Sequence, residues 1–129
     1  MRVCIDTNAY SALAKANAGV VSLVEAADEV VVSSPVLGEL MFGFLKGNRL
    51  SQNEAALDRF LHEDGVRFQP VTKEIAERYG YVKAELAKKG TPIPENDIWI
   101  AATALETGAR LISYDSHFDR VGGLVRIAP

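Results

Sequence analysis

Apolar and polar positions follow two rhythms along this chain. Runs rich in branched side chains, Arg2–Ile5 and residues 30–33, read as short buried strands. Helical spacing occupies residues 9–16 and 20–27, with a break at Asn17–Gly19. Ser34 and Pro35 then offer an N-cap and a first-turn proline for a helix through Phe44, ended by Lys46, Gly47 and Asn48. Ser51 and Glu54 have capping-box spacing ahead of a helix over residues 55–61. Residues 66–71 predict a third strand, weakened by Pro70. Thr72 caps a long helix that runs to Lys89 and stops at Gly90. After a loop over residues 90–94, Glu95–Thr107 predicts a helix that stops at Gly108. Residues 110–113 and 125–128 read as the last strands, joined by a short turn or helix at 115–120 and a turn at Gly122–Gly123. Strands separated by helices need crossover connections. The expected fold is α/β, a central parallel sheet covered by helices on both faces. Ligands in such sheets bind at the carboxyl ends of the strands.

The chain has 129 residues, the size of a single domain over 1–129. Its 48% hydrophobic and 24% charged content excludes a disordered chain, and 10 Gly with 5 Pro exclude a collagen-like one. No apolar run approaches the ~20 residues of a membrane span. Asp6 comes too early for the apolar region of a signal peptide, so a cytoplasmic location and no membrane partner are expected. Cys4 is the only cysteine, which excludes an intrachain disulfide and a cysteine zinc site. Between Val3 and Ile5 it reads as a small buried thiol. The net charge of −3, from 17 acidic against 14 basic residues, is not the footprint of a duplex-DNA binder. It leaves room for a local basic rim, and for acids gathered around a metal.

Four acids fall where such a sheet would gather them. Asp6 directly follows the first strand, and Thr7 and Asn8 add short polar side chains beside it. As a bland alternative, Asp6 and its neighbours simply cap the next helix. Glu39 lies in a helix that is apolar nearly all round and so expected to be buried, where a lone carboxylate costs several kcal/mol unless paired or bound to a cation. Gly43 leaves space on the same helix face; the competing reading has Glu39 reach solvent or pair with Lys46. Asp97 opens a helix, where the macrodipole favours an ionised carboxylate, and Ala101 and Ala104 share its face. Asp115 follows an apolar strand, with Asp119 close behind; one of these two is expected to be an ordinary surface acid. Converging carboxylates repel one another unless a cation holds them, and an oxygen-only set selects Mg²⁺ or Mn²⁺ over zinc. His62 reads as solvated, and His117 as a packing or substrate contact rather than a ligand.

Residues 3–8 (VCIDTN), 33–40 (SSPVLGEL), 96–104 (NDIWIAATA) and 111–118 (LISYDSHF), with the closing VGGL at 121–124, resemble a PIN domain. The resemblance is closer still to a VapC-type ribonuclease toxin of a type II toxin–antitoxin module. It implies a three-layer α/β/α fold. Asp6, Glu39 and Asp97 match the three core acids, Asp115 the fourth and more variable one, and Thr7, Asn8 and Ser113 the supporting polar residues. It further implies a Mg²⁺- or Mn²⁺-dependent endoribonuclease, often a homodimer, neutralised by a small antitoxin whose basic residue enters the acid pocket. On chemical grounds Asp6, Asp97 and Asp115 would hold the cation, while Glu39 would either ligate it through water or position the nucleophile. Lys46, Arg49, Lys83, Lys88 and Lys89 are candidate RNA-backbone contacts by charge alone, and single-stranded or looped RNA is the favoured substrate.

Two alternatives stand beside this reading. One is a stand-alone RNA-processing nuclease of the same family. The other, a receiver-like signalling domain, needs an Asp after the third strand and a Lys after the fourth; Pro70–Val71 and Tyr114 occupy those places. The exposed length of apolar side chain in the helix carrying Glu39, including Met41, Phe42, Phe44 and Leu45, points to a second chain or an antitoxin segment covering part of it. The competing arrangement packs Phe42 and Phe44 beneath residues 51–61.

Overall fold

The structure, a computed structural model, describes residues 1–129. The order of elements is β1 (Arg2–Ile5), α1 (Thr7–Ala14), α2 (Ala18–Ala26), β2 (Glu29–Ser33), α3 (Ser34–Lys46), α4 (Leu50–Leu61), β3 (Val66–Gln69), α5 (Lys73–Lys89), α6 (Glu95–Thr107), β4 (Arg110–Ile112) and β5 (Arg126–Ile127). A 3₁₀ turn, Ser116–Arg120, lies between the last two strands. The five strands are all parallel in the order β3-β2-β1-β4-β5. The chain winds outward from β1 through β2 to β3, then returns through α5 and α6 to the other side of β1. Right-handed crossovers in opposite directions place the two helix sets on opposite faces, giving three layers. The direction reverses between β1 and β4, and a cleft opens at the carboxyl ends there.

β1 is the centre of the core. Val3, Cys4 and Ile5 are fully buried, as are Val31 of β2 and Leu111 and Ile112 of β4. Such two-sided burial explains why these strands read as continuous apolar runs. Burial, with the Asp6 charge nearby, pushes the Cys4 thiol up to about 12, so it stays protonated and inert. α6 supplies Ile98, Ile100, Ala101, Ala102 and Ala104 to the core, and its small residues let it lie close to the sheet. Gly90 and Gly108 end α5 and α6 in the left-handed region, at φ +70° and +68°, where a Cβ would be strained. Thr72 caps α5 as expected, its side chain accepting from the Ile75 N–H at 3.2 Å.

The structure corrects several local expectations. Ser33 rather than Ser34 is the N-cap of α3, and it makes no side-chain cap bond. α4 begins at Leu50 with Arg49 in the cap position, so the Ser51–Glu54 capping box does not form. β3 stops at Gln69, because Pro70 has no N–H to continue the ladder. The helix around Glu39 is not buried all round. Only Val36 and Leu40 are, while Phe42 and Leu45 are each 62% exposed. Phe44 is half-buried against the core, so the arrangement of both phenylalanines under α4 holds for one of them. No helix is long and apolar enough to cross a membrane.

Candidate active site

The carboxyl ends of β1 and β4 lie side by side, and both turn immediately into polar residues. Asp6 follows Ile5, which pairs in register with Ile112; Ser113 comes next on that side. The Ser113 hydroxyl donates to Asp6 Oδ2, and the Ala9 N–H donates to Oδ1 at 2.8 Å. Asp6 therefore caps α1 while lying near Asp115 and Glu39, so capping does not take it away from the other acids. Its carboxyl is raised above the ordinary 3.8, chiefly by burial, against the lowering pull of Ser113 and Ala9; the charges of Asp115 and Glu39 raise it further. Ser33, on β2 at the other side of Asp6, is fully buried, and its hydroxyl has no hydrogen-bond partner.

Glu39 reaches the same cleft from the first turns of α3. Thr7 Oγ1 donates to Glu39 Oε1 at 2.6 Å, which ties α3 to the start of α1. Glu39 is half-buried and bonded to Thr7, and it makes no ion pair with Lys46. Gly43 has open space around its Cβ position, as expected. Asn8, by contrast, is exposed and makes no side-chain hydrogen bond, so it does not support the pocket directly.

Asp97 stands in the first turn of α6. Its carboxyl too is raised, first by burial; His117 pulls it down, while Glu39 and Asp6 push it up. Asp115 is placed by the loop after β4. Its N–H donates to Ser113 Oγ at 3.0 Å, and its Oδ1 accepts from the His117 N–H at 3.3 Å. One serine thus holds Asp6 on one side and Asp115 on the other.

Two residues make contacts at the site that the sequence did not predict. His117 inserts between two acids: Nε2 lies 2.7 Å from Asp97 Oδ2, and Nδ1 2.7 Å from Asp115 Oδ1. The buried Nε2 meets its oxygen without the alignment of a hydrogen bond. Asp97, Asp115 and His117 place ligand atoms within 4.8 Å of one another. This group shares Asp97 and Asp115 with the expected trio and adds His117, which was expected as a packing or substrate contact; Asp6 is not within it. The second is Arg126 on β5. It forms a two-pronged pair with Asp119, at 2.8 and 3.0 Å, and donates to the Ser113 carbonyl at 3.1 Å. Asp119 is therefore the structural acid of the 115/119 pair, held below its ordinary range by Arg126. An Asp–x₆–Arg spacing around a Gly-Gly turn was the only sequence signal for it.

The donor set fits a divalent cation. Four carboxylates face one cleft at the strand ends; burial penalises the charge on Asp6 and Asp97, and His117 is the only basic side chain that meets the cluster. Such a cluster is relieved by a cation or by protonation. An imidazole among carboxylates suits Mn²⁺ at least as well as Mg²⁺. Of the expected basic contacts, Lys83 is paired with Glu95, Lys89 donates to the Arg120 carbonyl, and Lys46 lies over the Phe42 ring. Arg49 makes no such contact.

The PIN-domain family model matches residues 3–124. Ribonuclease VapC2 of Haemophilus influenzae is 38% identical over 97 residues, covering 74% of this chain and 71% of that protein. Ribonuclease VapC2 of Rickettsia felis is 32% identical over 97 residues with the same coverage. The solved structure of VapBC2 from Rickettsia felis, bound to a DNA fragment from their promoter, has a TM-score of 0.87 at 28% identity and covers 98% of each chain. Sheet order, the acids at the switch between β1 and β4, and these relatives agree: the chain belongs to the PIN-domain family, among its VapC-type ribonucleases.

Proposed function

We propose that residues 1–129 form a single nuclease domain that hydrolyses RNA phosphodiester bonds with a divalent cation, Mg²⁺ or Mn²⁺, as the toxin of a toxin–antitoxin pair. The observation that carries this reading is the convergence of Asp6, Glu39, Asp97 and Asp115 at the strand-order switch, with burial acting against the charge on Asp6 and Asp97. Asp97, Asp115 and His117 would hold the cation, with Asp6 beside them. When bound, a divalent cation makes water a stronger nucleophile at neutral pH and withdraws charge from a phosphoryl oxygen. Thr7 occupies Glu39 Oε1, which leaves Oε2 free to orient the attacking water and take its proton. Ser113 fixes Asp6 and Asp115 relative to each other, so neither must reorganise during reaction.

The partners follow the family. Relatives are named ribonucleases, and a structural neighbour is a VapBC complex. For this chain we assign an antitoxin and a second copy as protein partners, with the exposed Phe42 and Leu45 of α3 as the surface such partners would cover. An arginine of the antitoxin suits the acid cleft, since guanidinium pairs bidentately with carboxylates and competes with a cation. The stand-alone processing nuclease is the other reading. The test is cleavage of single-stranded RNA in Mg²⁺ and Mn²⁺, repeated in excess EDTA and with the product of the adjacent gene added. Cleavage that EDTA abolishes and the added protein suppresses supports the proposal. EDTA-resistant cleavage overturns the metal assignment, and full activity in a saturated complex overturns the toxin assignment.

A further inference from the structure

An open groove of about 420 Å³ runs between α1, α3 and α4, lined among others by Ser11, Lys15, Leu40, Phe44, Arg49 and Asn53. Its α1 wall starts one turn from Thr7, which bonds Glu39. Ser11 lies one turn along α1 from Thr7 and donates to its carbonyl at 3.1 Å, and Leu40 follows Glu39 on α3. Its charge is unlike that of its neighbours. Lys15 and Arg49 are exposed and make no ion pair or hydrogen bond, and no acid lines the groove. The groove between α3 and α4 carries Glu54 and Asp58, and the one between α1, α2 and α4 carries Glu25 and Glu63. In a chain with 17 acids against 14 bases, one acid-free groove with two unpartnered cations beside the acid cleft selects an anionic occupant.

We propose that this groove carries the single-stranded RNA that flanks the scissile phosphate, with Lys15 and Arg49 each taking a backbone phosphate. The assignment rests on the nuclease reading above. Thr7 to Lys15 is eight residues of helix, about 12 Å, so Lys15 meets the strand a few nucleotides from the cleft, with Arg49 lining the same groove. Leu40 and Phe44 give the groove an apolar wall, against which bases can lie without sequence preference, while Ser11 and Asn53 offer hydrogen bonds. An acidic protein segment is the competing occupant. RNA is favoured because the groove's α1 wall lies one turn from Thr7, which bonds Glu39 of the site proposed for phosphoryl chemistry.

The experiment measures binding of a fluorescently labelled 12-nucleotide single-stranded RNA by anisotropy, in an Asp97→Asn background that does not consume it, at several salt concentrations. Lys15→Glu combined with Arg49→Glu is expected to weaken binding at least tenfold. The slope of log affinity against log salt should fall by about 1.4, since each single-strand phosphate contact contributes about 0.7. The milder Lys15→Gln with Arg49→Gln should move both quantities in the same direction, and Lys15→Arg with Arg49→Lys should restore them. Lys73→Glu on α5 should change affinity less than twofold. Cleavage by the unmodified protein is assayed in parallel. If it cleaves RNA but the double reversals leave affinity and slope unchanged, the groove assignment falls and the nuclease reading stands. If the reversals spare RNA and abolish binding of the adjacent gene's product, the groove belongs to a protein and the proposal is overturned. If the unmodified protein neither binds nor cleaves RNA, both readings fall together.

Discussion

The acid cleft and the outer face of α3 break the ordinary sorting of side chains in opposite directions. In the cleft, Asp6 and Ser113 are buried and Asp97 is half-buried. On α3, Phe42 and Leu45 stand 62% exposed. The cleft answers its misplaced polarity internally, through Ser113, Thr7 and the Ala9 N–H, and still leaves Asp6 and Asp97 with raised pKa values. The helix face answers its misplaced apolarity hardly at all: Lys46 lies 4.7 Å above the Phe42 ring. The function proposed above supplies each from outside the chain: a small cation for the cleft and a protein surface for the helix face.

The largest expected effect lies in the cleft. Asp97→Asn keeps the shape of α6's first turn but removes a charge from the ligand set. RNA cleavage should fall at least a hundredfold, beyond the ~10–100-fold that changes behind the ligands already cause. Retention of more than a tenth of the activity would remove Asp97 from the site. On α3 the contrast is between two neighbours. Leu40 is buried, so Leu40→Ala should cost about 2–5 kcal/mol in denaturant unfolding. Phe42→Ser should stay within about 0.5 kcal/mol for the isolated chain, yet weaken association measured by light scattering. Comparable losses in stability would mean that Phe42 serves this chain's own core.

A smaller effect is expected at Arg126, which ties β5 to Ser113 and Asp119. Arg126→Gln should weaken Mn²⁺ binding about tenfold by loosening the loop that presents Asp115 and His117. Arg126→Lys, which keeps the charge but not the two-pronged geometry, should fall between. The smallest is a pH trend. Burial raises Asp6 and Asp97 above 3.8, so each binds its proton more tightly folded than unfolded. Their stabilising contribution without metal is complete below 3.8 and is lost as pH rises through the raised values. Asp28, lowered by the N-terminal amine, and Asp119 run the other way: theirs is present above 3.8 and lost as pH falls through the lowered values. The metal-free melting temperature of Asp6→Asn should therefore gain on that of the unmodified protein as pH is raised from about 4 to about 7. A constant difference would show that Asp6 is not held against its charge.

Much of this was legible from residue patterns. β1 and β2 read as branched apolar runs because both faces are covered, and α5 and α6 were bracketed by Thr72, Gly90 and Gly108, whose backbone roles are local. Asp6, Asp97 and Asp115 were legible because each abuts a strand end or a helix start, and Glu39 because it is a carboxylate in an otherwise apolar helix. The parts that were missed depend on distant residues. His117 reads as a packing or substrate contact, and its pairing with Asp97 arises only when the fold brings α6 across to it; Arg126 gains its role only by reaching back 13 residues to Ser113. The expected burial of α3 failed for another reason. Periodicity reports that an apolar face wants covering, but not whether the cover belongs to the same chain. The acid-free groove was invisible because Lys15 and Arg49 are 34 residues apart and meet only when α1 packs beside α3 and α4.

The central claim, that the cleft is organised around a divalent cation, is tested most directly by thermal melting of the purified chain as Mn²⁺ is added, for the unmodified protein and for Asp97→Asn. Binding to the folded state alone stabilises by RT ln(1 + [L]/Kd), about 2.7 kcal/mol at a hundredfold excess over Kd. The account predicts a saturable rise in melting temperature for the unmodified protein, reversed by EDTA and absent in Asp97→Asn. An equal rise in both, or none in either, would contradict it.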